Sequence, residues 1–414
     1  MRFVSSLILL LLGLAPAFAQ NPPLTCQVTA PVPNLVDVKG DSELTSDVLI
    51  ICTGGDPGHP TLFNFTLFLN TAFTTKIMNP VTGETESLLL IDEPQPGVPN
   101  PSNNCPPYAG QVLGTPGAPA CSATSGNVYQ ATTVSSGGGL LENVVQWLGV
   151  PFEPPGIAGT RVIRLTNVRA AASEIGIPGA SVMALVAMSG ASAVTLVQPG
   201  GGTAVATMLD GLVFASTAPA AGVLKLDFQE GFAQSFKKRI ENISAPLDAL
   251  HQDVPGAFYC TESGFTPQFS AVTAGAIGSA DTGTRLLAKF SSLPPAAFLL
   301  LVPNEVTSSS GQLVAHRVFP PFAADFTGGA IPLVGGDSLA FVSGHSAEVL
   351  YEVTAASPFH AVNGCALLES FNFTVRSFFP VSLATAVASG SIVPTDPDPF
   401  PTPSATSPRP RFKP

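Results

Sequence analysis

The strongest constraint in this sequence is its punctuation. Apolar runs of strand length recur along the chain, and nearly all of them end within a few residues at Gly, Pro, Asn, Asp or Ser. With 39 Gly and 41 Pro in 414 residues, few stretches can carry an amphipathic helix through several turns. Runs at 48–51, 62–69, 88–91, 162–168, 182–188, 194–197, 223–228, 286–290, 297–302, 313–318, 339–342, 349–353 and 371–375 all suit strands. In the second of these, Leu62, Asn64, Thr66 and Phe68 face one way while Phe63, Phe65, Leu67 and Leu69 face the other. The expected fold class is all-β: two tandem Ig-like antiparallel β-sandwich domains, at most two short helices, and a Pro-rich disordered tail.

Two stretches are the helix candidates. Residues 231–239 place Phe232 and Phe236 four apart, with Ile240 completing the stripe beside Lys237-Lys238-Arg239; Leu141, Val144, Val145 and Leu148 suit a helix as well as a strand. The uncharged stretch 175–209 is interrupted by Pro178, Gly190, Pro199 and three successive glycines, so it reads as two or three buried strands and not as a membrane span.

The N-terminus has the three parts of a secretory signal: Met1-Arg2, an apolar run at 7–14, and Ala17-Phe18-Ala19 ahead of cleavage before Gln20. The expected organisation is a signal peptide at 1–19, a first sandwich at 20–220 with a long Pro/Gly-rich loop at 93–139, a second sandwich at 221–385, and a tail at 386–414. The proposed boundary falls in the Pro- and Ala-containing stretch 218–222. An internal echo, Gly159-Thr160-Arg161-Val162-Ile163 and Gly283-Thr284-Arg285-Leu286-Leu287, suits tandem units. Export places the chain outside the cytoplasm, secreted, extracellular or periplasmic, and makes Cys26, Cys52, Cys105, Cys121, Cys260 and Cys365 disulfide candidates. Sequence leaves the connectivity open; the order preferred is Cys26 with Cys52, Cys105 with Cys121, and Cys260 with Cys365, each pair lying within one proposed unit.

Charge narrows the partners. Seventeen Lys plus Arg against 28 Asp plus Glu give a net charge of -11, and the basic residues form no long cluster, so the positive surface that nucleic acid requires is missing. Lys237-Lys238-Arg239 could meet an anionic partner, although three such charges commonly form a solvated face. The sequons at Asn64, Asn242 and Asn372 matter only in a eukaryotic secretory path.

Candidate chemistry is thin. Gly344-His345-Ser346-Ala347-Glu348 is one residue short of the G-x-S-x-G nucleophile elbow, Glu348 replacing the last glycine. The run after it looks like a strand where the elbow needs a helix. A hydrolase built here would use Ser346 with His360 and with Glu352 or Glu369 as the acid. His59, His251, His316, His345 and His360 are scattered, without metal-ligand spacing, and no cysteine pair has the C-x-x-C spacing. Asp281, Asp337, Asp396 and Asp398 offer too few oxygens for calcium, and the Gly-rich turns lack the features of a phosphate loop. No cofactor is expected. A carboxylate pair for glycoside hydrolysis cannot be selected from 28 acids, and Trp147 with four Tyr is a thin supply of aromatic platforms.

The stretches Glu43-Leu44-Thr45 to Cys52-Thr53-Gly54-Gly55, Leu69-Asn70-Thr71, Leu88-Leu89-Leu90-Ile91-Asp92, Arg164-Leu165-Thr166-Asn167-Val168-Arg169 and Glu230-Gly231-Phe232 with Phe236-Lys237 resemble a loosely defined group of secreted β-rich proteins of soil bacteria. The resemblance implies export and β structure; the group has no assigned activity. The expectation is a secreted, non-enzymatic β-sandwich protein, a cell-surface, matrix or envelope-associated interaction module for a protein or polysaccharide at the cell exterior. The alternative is a secreted hydrolase, of serine esterase or glycosidase type.

Overall fold

A computed structural model describes residues 23–59, 61–75, 77–79, 81–92, 127–136, 139–190, 193–237, 283–318, 336–355 and 368–393. The expected signal segment, Cys105, Cys121, Cys260, Cys365, His251, His360 and residues 394–414 of the expected tail lie outside these residues; the start of that tail needs correction, because Val387–Val393 form a strand paired with Arg285–Ser291. The described chain is all-β: 24 strands and one four-residue helix.

The first half runs β1 (Leu24–Thr29), β2 (Asn34–Asp37), β3 (Glu43–Leu44), β4 (Val48–Gly54), β5 (Thr61–Leu69), β6 (Ile77–Asn79), β7 (Glu84–Ile91), β8 (Val128–Ser136), β9 (Gly139–Phe152), β10 (Gly156–Thr166) and β11 (Arg169–Ala170). Helix α1 (Ala172–Ile175), β12 (Ser181–Gly190), β13 (Val194–Val197) and β14 (Thr203–Leu209) complete it. Twelve of these strands form one sheet, in the order β13-β1-β4-β10-β7-β8-β9-β5-β12-β14-β2, with β6 on β7. The end pairs β1–β13 and β2–β14 are parallel, and every other pairing in that sheet is antiparallel.

One hydrophobic cluster takes residues from strands all along this sheet, so the sheet curls around a single core. The curl brings β13 beside β12. There Gln198, the residue after β13, accepts a hydrogen bond from the Val186 N–H (3.1 Å) and donates one to the Val186 carbonyl (2.7 Å). A side-chain amide thus stands in for a strand at the seam, satisfying an edge that would otherwise expose bare backbone groups.

Period-2 burial holds as the alternation demands: Phe63, Phe65, Leu67 and Leu69 are buried, and Leu62, Asn64, Thr66 and Phe68 point outward. Cys26 and Cys52 sit opposite each other on β1 and β4 and form the disulfide expected for them. Two expectations need correction here. Residues 128–136, placed within the loop at 93–139, form β8, because Tyr129 and Ala131 enter the core while the Asn127 side chain donates to the Ile91 carbonyl. The 175–209 stretch does form strands, but they are half-buried: β12 hides Val182, Ala184 and Val186 and exposes Leu185, Ala187 and Ser189.

The second half holds two five-stranded sheets. One orders β15 (Leu212–Ala220), β16 (Val223–Glu230), β23 (Ser370–Ser377), β18 (Leu299–Pro303) and β21 (Asp337–Phe341). The other orders β19 (Glu305–Thr307), β20 (Leu313–Val318), β22 (Ala347–Ala355), β17 (Arg285–Ser291) and β24 (Val387–Val393). All their pairings are antiparallel, and the two inner faces share a second core. Aromatic rings fill much of it: Phe228 meets Phe214 at 4.9 Å and Phe373 at 5.1 Å, and Tyr351 stacks on Phe373 at 4.4 Å.

The first core's strands end at Leu209 and the second's begin at Leu212, so the changeover falls at Asp210-Gly211; the 218–222 stretch instead forms the end of β15 and its turn into β16. The helix expected from 231 does not form over 231–237. Its backbone donors are taken elsewhere: Gly231 N–H by the Gly211 carbonyl (2.9 Å) and Phe236 N–H by the Glu230 carboxylate (2.8 Å).

Candidate functional site

Ser346, the sequence candidate for a nucleophile, lies on a two-residue turn between β21 and β22. Ser343 and Ser346 exchange backbone hydrogen bonds of 2.8 and 3.0 Å, and Gly344 (φ 57°) and His345 (φ 65°) occupy the left-handed region that a type I′ turn requires. A strand follows, and the Ser346 hydroxyl donates to the Ser343 carbonyl at 2.9 Å. The His345 ring is turned away to the Leu293 carbonyl, 2.8 Å from its Nδ1. Glu352 receives Arg285 at 3.1 Å and Glu369 receives Ser309 at 3.2 Å, so neither proposed acid is directed at Ser346. The other described histidines pair locally, His59 with Asp56 at 3.0 Å and His316 with Glu305 at 3.3 Å. Among the described residues no three His, Cys, Asp or Glu gather as a metal site.

Much of this chain's scarce charge is spent inside. Asp37, Glu43, Glu86, Asp92, Arg164, Arg169, Glu230, Arg317, Glu352 and Glu369 are all buried. In the first sandwich, Arg169 Nε reaches Glu86 Oε1 at 2.8 Å, Arg161 bonds Asp92, and Arg164 Nε lies 3.7 Å from Asp47. Burial raises the Asp47 carboxyl above the usual carboxylate range against the pull of Arg164. The local fold sets these contacts: β10 carries Arg161 and Arg164 and β11 carries Arg169, and the acids come from β7 and the chain next to β4 and β7. Such pairs hold elements in register, because either partner alone would be a stranded charge.

A second cluster ties the two sandwiches together. Asp37 accepts the Gly211 N–H at 3.3 Å, the Ser235 hydroxyl donates to the Gly211 carbonyl at 2.7 Å, and Lys237 bonds Glu43. The anion that meets Lys237 is therefore within the chain, and this lysine is not part of a solvated helical face. A Cβ on Gly231 would stand 2.0 Å from the Asp210 carbonyl oxygen, so the tight approach requires glycine there. Behind this joint the Glu230 carboxylate accepts the N–H groups of Phe236 (2.8 Å) and Glu369 (2.9 Å). Burial pushes Glu230 up to about 7, these N–H groups oppose the rise, and the neighbouring Glu369 charge adds to it. Glu230 was not singled out from sequence; the available signal is its place in the inward phase of β16, after Leu224, Leu226 and Phe228.

One outward sheet face of the first sandwich carries no ionic groups between its ends. On the outward side of β2, β14, β12, β5 and β9, the register brings Leu35 beside Thr207, Thr207 beside Ser181, Met183 beside Ala204, Leu185 beside Phe68, and Thr66 between Ala187 and Gln146. Leu62, Asn64, Ser189 and Leu148 extend it. Not one of these side chains ionises, whereas about a quarter of the residues in an ordinary globular chain are charged. Four leucines are well exposed there: Leu35 52%, Leu148 49%, Leu62 48% and Leu185 39%. The charges on these strands, Glu142 in β9 and Asp37 in β2, stand at the ends of the face, and Asp37 is covered by the joint. The exposed aliphatic groups offer contact area, and the Thr, Ser, Asn and Gln side chains offer neutral hydrogen bonds. Of the sequons, Asn64 lies within this face and accepts the Gly149 N–H at 2.9 Å, while Asn372 is exposed on β23.

No family model matches the chain, and no curated protein matches it. Among solved structures it is similar to the yeast delta-COP-I mu-homology domain, at 8% identity and a TM-score of 0.16, covering 90% of this chain and 81% of that one. A collagen adhesin from S. aureus matches at 7% identity and a TM-score of 0.15, covering 91% and 88%. Likeness at this level carries no argument about function.

Proposed function

We propose that the chain is an exported, non-enzymatic β-sandwich module that acts by surface contact at the cell exterior, on a cell surface, matrix or envelope. The observation that carries the reading is the outward face of β2, β14, β12, β5 and β9, which is free of ionisable side chains in an acidic protein and rich in exposed leucine. The signal-like N-terminus and the Cys26–Cys52 disulfide support the external location.

The test is retention of purified full-length protein on exterior fractions of the producing cell, alongside Leu62→Glu/Leu148→Glu protein. Retention of the parent and loss by the variant is the expected result. Equal retention of both removes this face from the reading. Fluorophosphonate labelling lost on Ser346→Ala, or steady turnover of esters or polysaccharides, overturns the non-enzymatic assignment in favour of a hydrolase.

A further inference from the structure

We propose that the uncharged face of the first sandwich is occupied by the same face of a second copy of this chain, sheet against sheet about a two-fold axis near Leu185. The inference rests on the reading of that face as a contact surface and names its partner.

Charge is the first argument. Two copies of a chain with 28 acidic and 17 basic residues repel one another over most relative orientations. Meeting through the ion-free face keeps the acids apart and leaves no charge to desolvate between the copies. Area is the second. Four strands spaced about 4.8 Å apart, presenting roughly six or seven residues each at ~3.4 Å, with the four-residue β2 beside them, cover just under ~500 Å² in projection. Two such faces bury on the order of 1,000 Å², about the threshold for a specific interface and more than most lattice contacts bury.

Chemistry and symmetry agree with this partner. β12 is the middle strand of the five, and Leu185 lies in its central part with Phe68 opposite it on β5. A two-fold axis there sets the Leu185 side chains of the two copies against each other and places the flanking Thr66, Ala187 and Ala204 where twisted sheets interdigitate. The rim residue Glu142 stays at the periphery, in water.

The experiment is sedimentation equilibrium of the full chain at tens of micromolar, with Leu185→Glu, Leu185→Lys and Leu148→Glu. The parent is expected at twice the monomer mass. Leu185→Glu and Leu185→Lys are each expected to weaken association at least tenfold, and an equimolar mixture of the two to recover it, because opposite charges then meet across the axis. Leu148→Glu, nearer the edge of the face, is expected to weaken it less. Unchanged circular dichroism shows that the variants fold; if either Leu185 variant does not, Leu148→Glu against the parent decides. A parent that stays monomeric, variants that associate as well as the parent, or a mixture that fails to recover association each overturns the proposal. A monomer whose exterior retention still depends on Leu62 and Leu148 overturns the second copy while leaving the contact-module reading in place.

Discussion

The first sandwich threads the Arg169–Glu86, Arg161–Asp92 and Arg164–Asp47 contacts through the sheet that encloses it, whereas the second sets Arg285–Glu352 beside a core whose middle is filled by rings. Arg169 and Glu86 are buried together in the one, and Phe228, Phe373 and Tyr351 fill the middle of the other. The difference follows from how each sheet closes. A single twelve-stranded sheet wrapping one core must turn sharply beside β10, and the turn residue Asn167 (φ 57°) donates to the Glu86 carbonyl while its own carbonyl receives the Ser87 hydroxyl. Polar groups fix that corner because each has few geometries that satisfy it. Two separate five-stranded sheets are held face to face by ring contacts between them, such as Tyr351 stacked on Phe373, alongside the Arg285–Glu352 pair.

The sharpest way to break the comparison is to remove one half of a buried pair. Glu86→Leu leaves the Arg169 guanidinium without its carboxylate and is expected to destabilise the first sandwich by about 3–5 kcal/mol, whereas Glu86→Leu/Arg169→Met is expected to cost far less. Urea unfolding followed by Trp147 fluorescence reads this, since the single Trp lies in the first core. A double variant as unstable as the single one would show that the pair adds net stability beyond register. Next in size is the disulfide. Cys26 and Cys52 are 26 residues apart, and closing such a loop stabilises by about 3 kcal/mol in the chain-entropy account. Replacing both by Ser is expected to lower the transition seen by Trp147 and to leave the second sandwich's transition in place. A common shift of both transitions would mean that the joint couples the halves into one unfolding unit.

The second sandwich has its own weak point, and it is ionic. Glu230 contacts backbone N–H groups and lies near Glu369, with no cation against it among the described residues. Its carboxyl is held at about 7 in the fold against 4.5 for the free group. Below 4.5 both states keep the proton and nothing is lost; between 4.5 and 7 the unfolded chain releases it while the fold retains it; above 7 the fold carries the full cost of a buried charge. The second sandwich is therefore expected to lose stability as pH rises through this window, by on the order of 3 kcal/mol. Glu230→Gln should flatten that slope even where it shifts the absolute stability. Stability that rises over the same window for the parent and not for the variant would show that the N–H donors outweigh burial.

How much of this was legible in the sequence depends on how far each signal reaches. The inward set Phe63, Phe65, Leu67 and Leu69 follows from alternation within one strand; Cys26–Cys52 is preferred from sequence only because both cysteines lie in one proposed unit, and it is the register of β1 against β4 that joins them. The Arg169–Glu86 and Arg161–Asp92 pairs span 83 and 69 residues, so no local pattern links the partners. The same distance hides the parallel end pairs β1–β13 and β2–β14. The uncharged stretch 175–209 was visible as composition, but composition does not say which side of a strand meets water. Only the register of β12 against β5 and β14 shows that half of it lies outside and builds the neutral face. Gly344-His345-Ser346 misleads for the opposite reason: the local motif is nearly complete, yet Gly344 and His345 form a hairpin turn and the chain continues into a strand.

The smallest expected effect tests the closure on which the contrast depends. Gln198 supplies two hydrogen bonds to Val186 across the seam between β13 and β12. Gln198→Leu removes both and leaves one backbone donor and one acceptor to water at a half-buried site, a cost of about 1–2 kcal/mol at the usual worth of a bond. If the wrapped sheet depends on this latch, the loss is local: amide exchange at Val186 speeds up while the exchange of residues deep in β4 and β10 stays slow, because those strands are paired on both sides. Faster exchange throughout the first sandwich would mean that the sheet opens as a unit once its seam is cut, and that the buried ionic corner cannot hold the curl by itself.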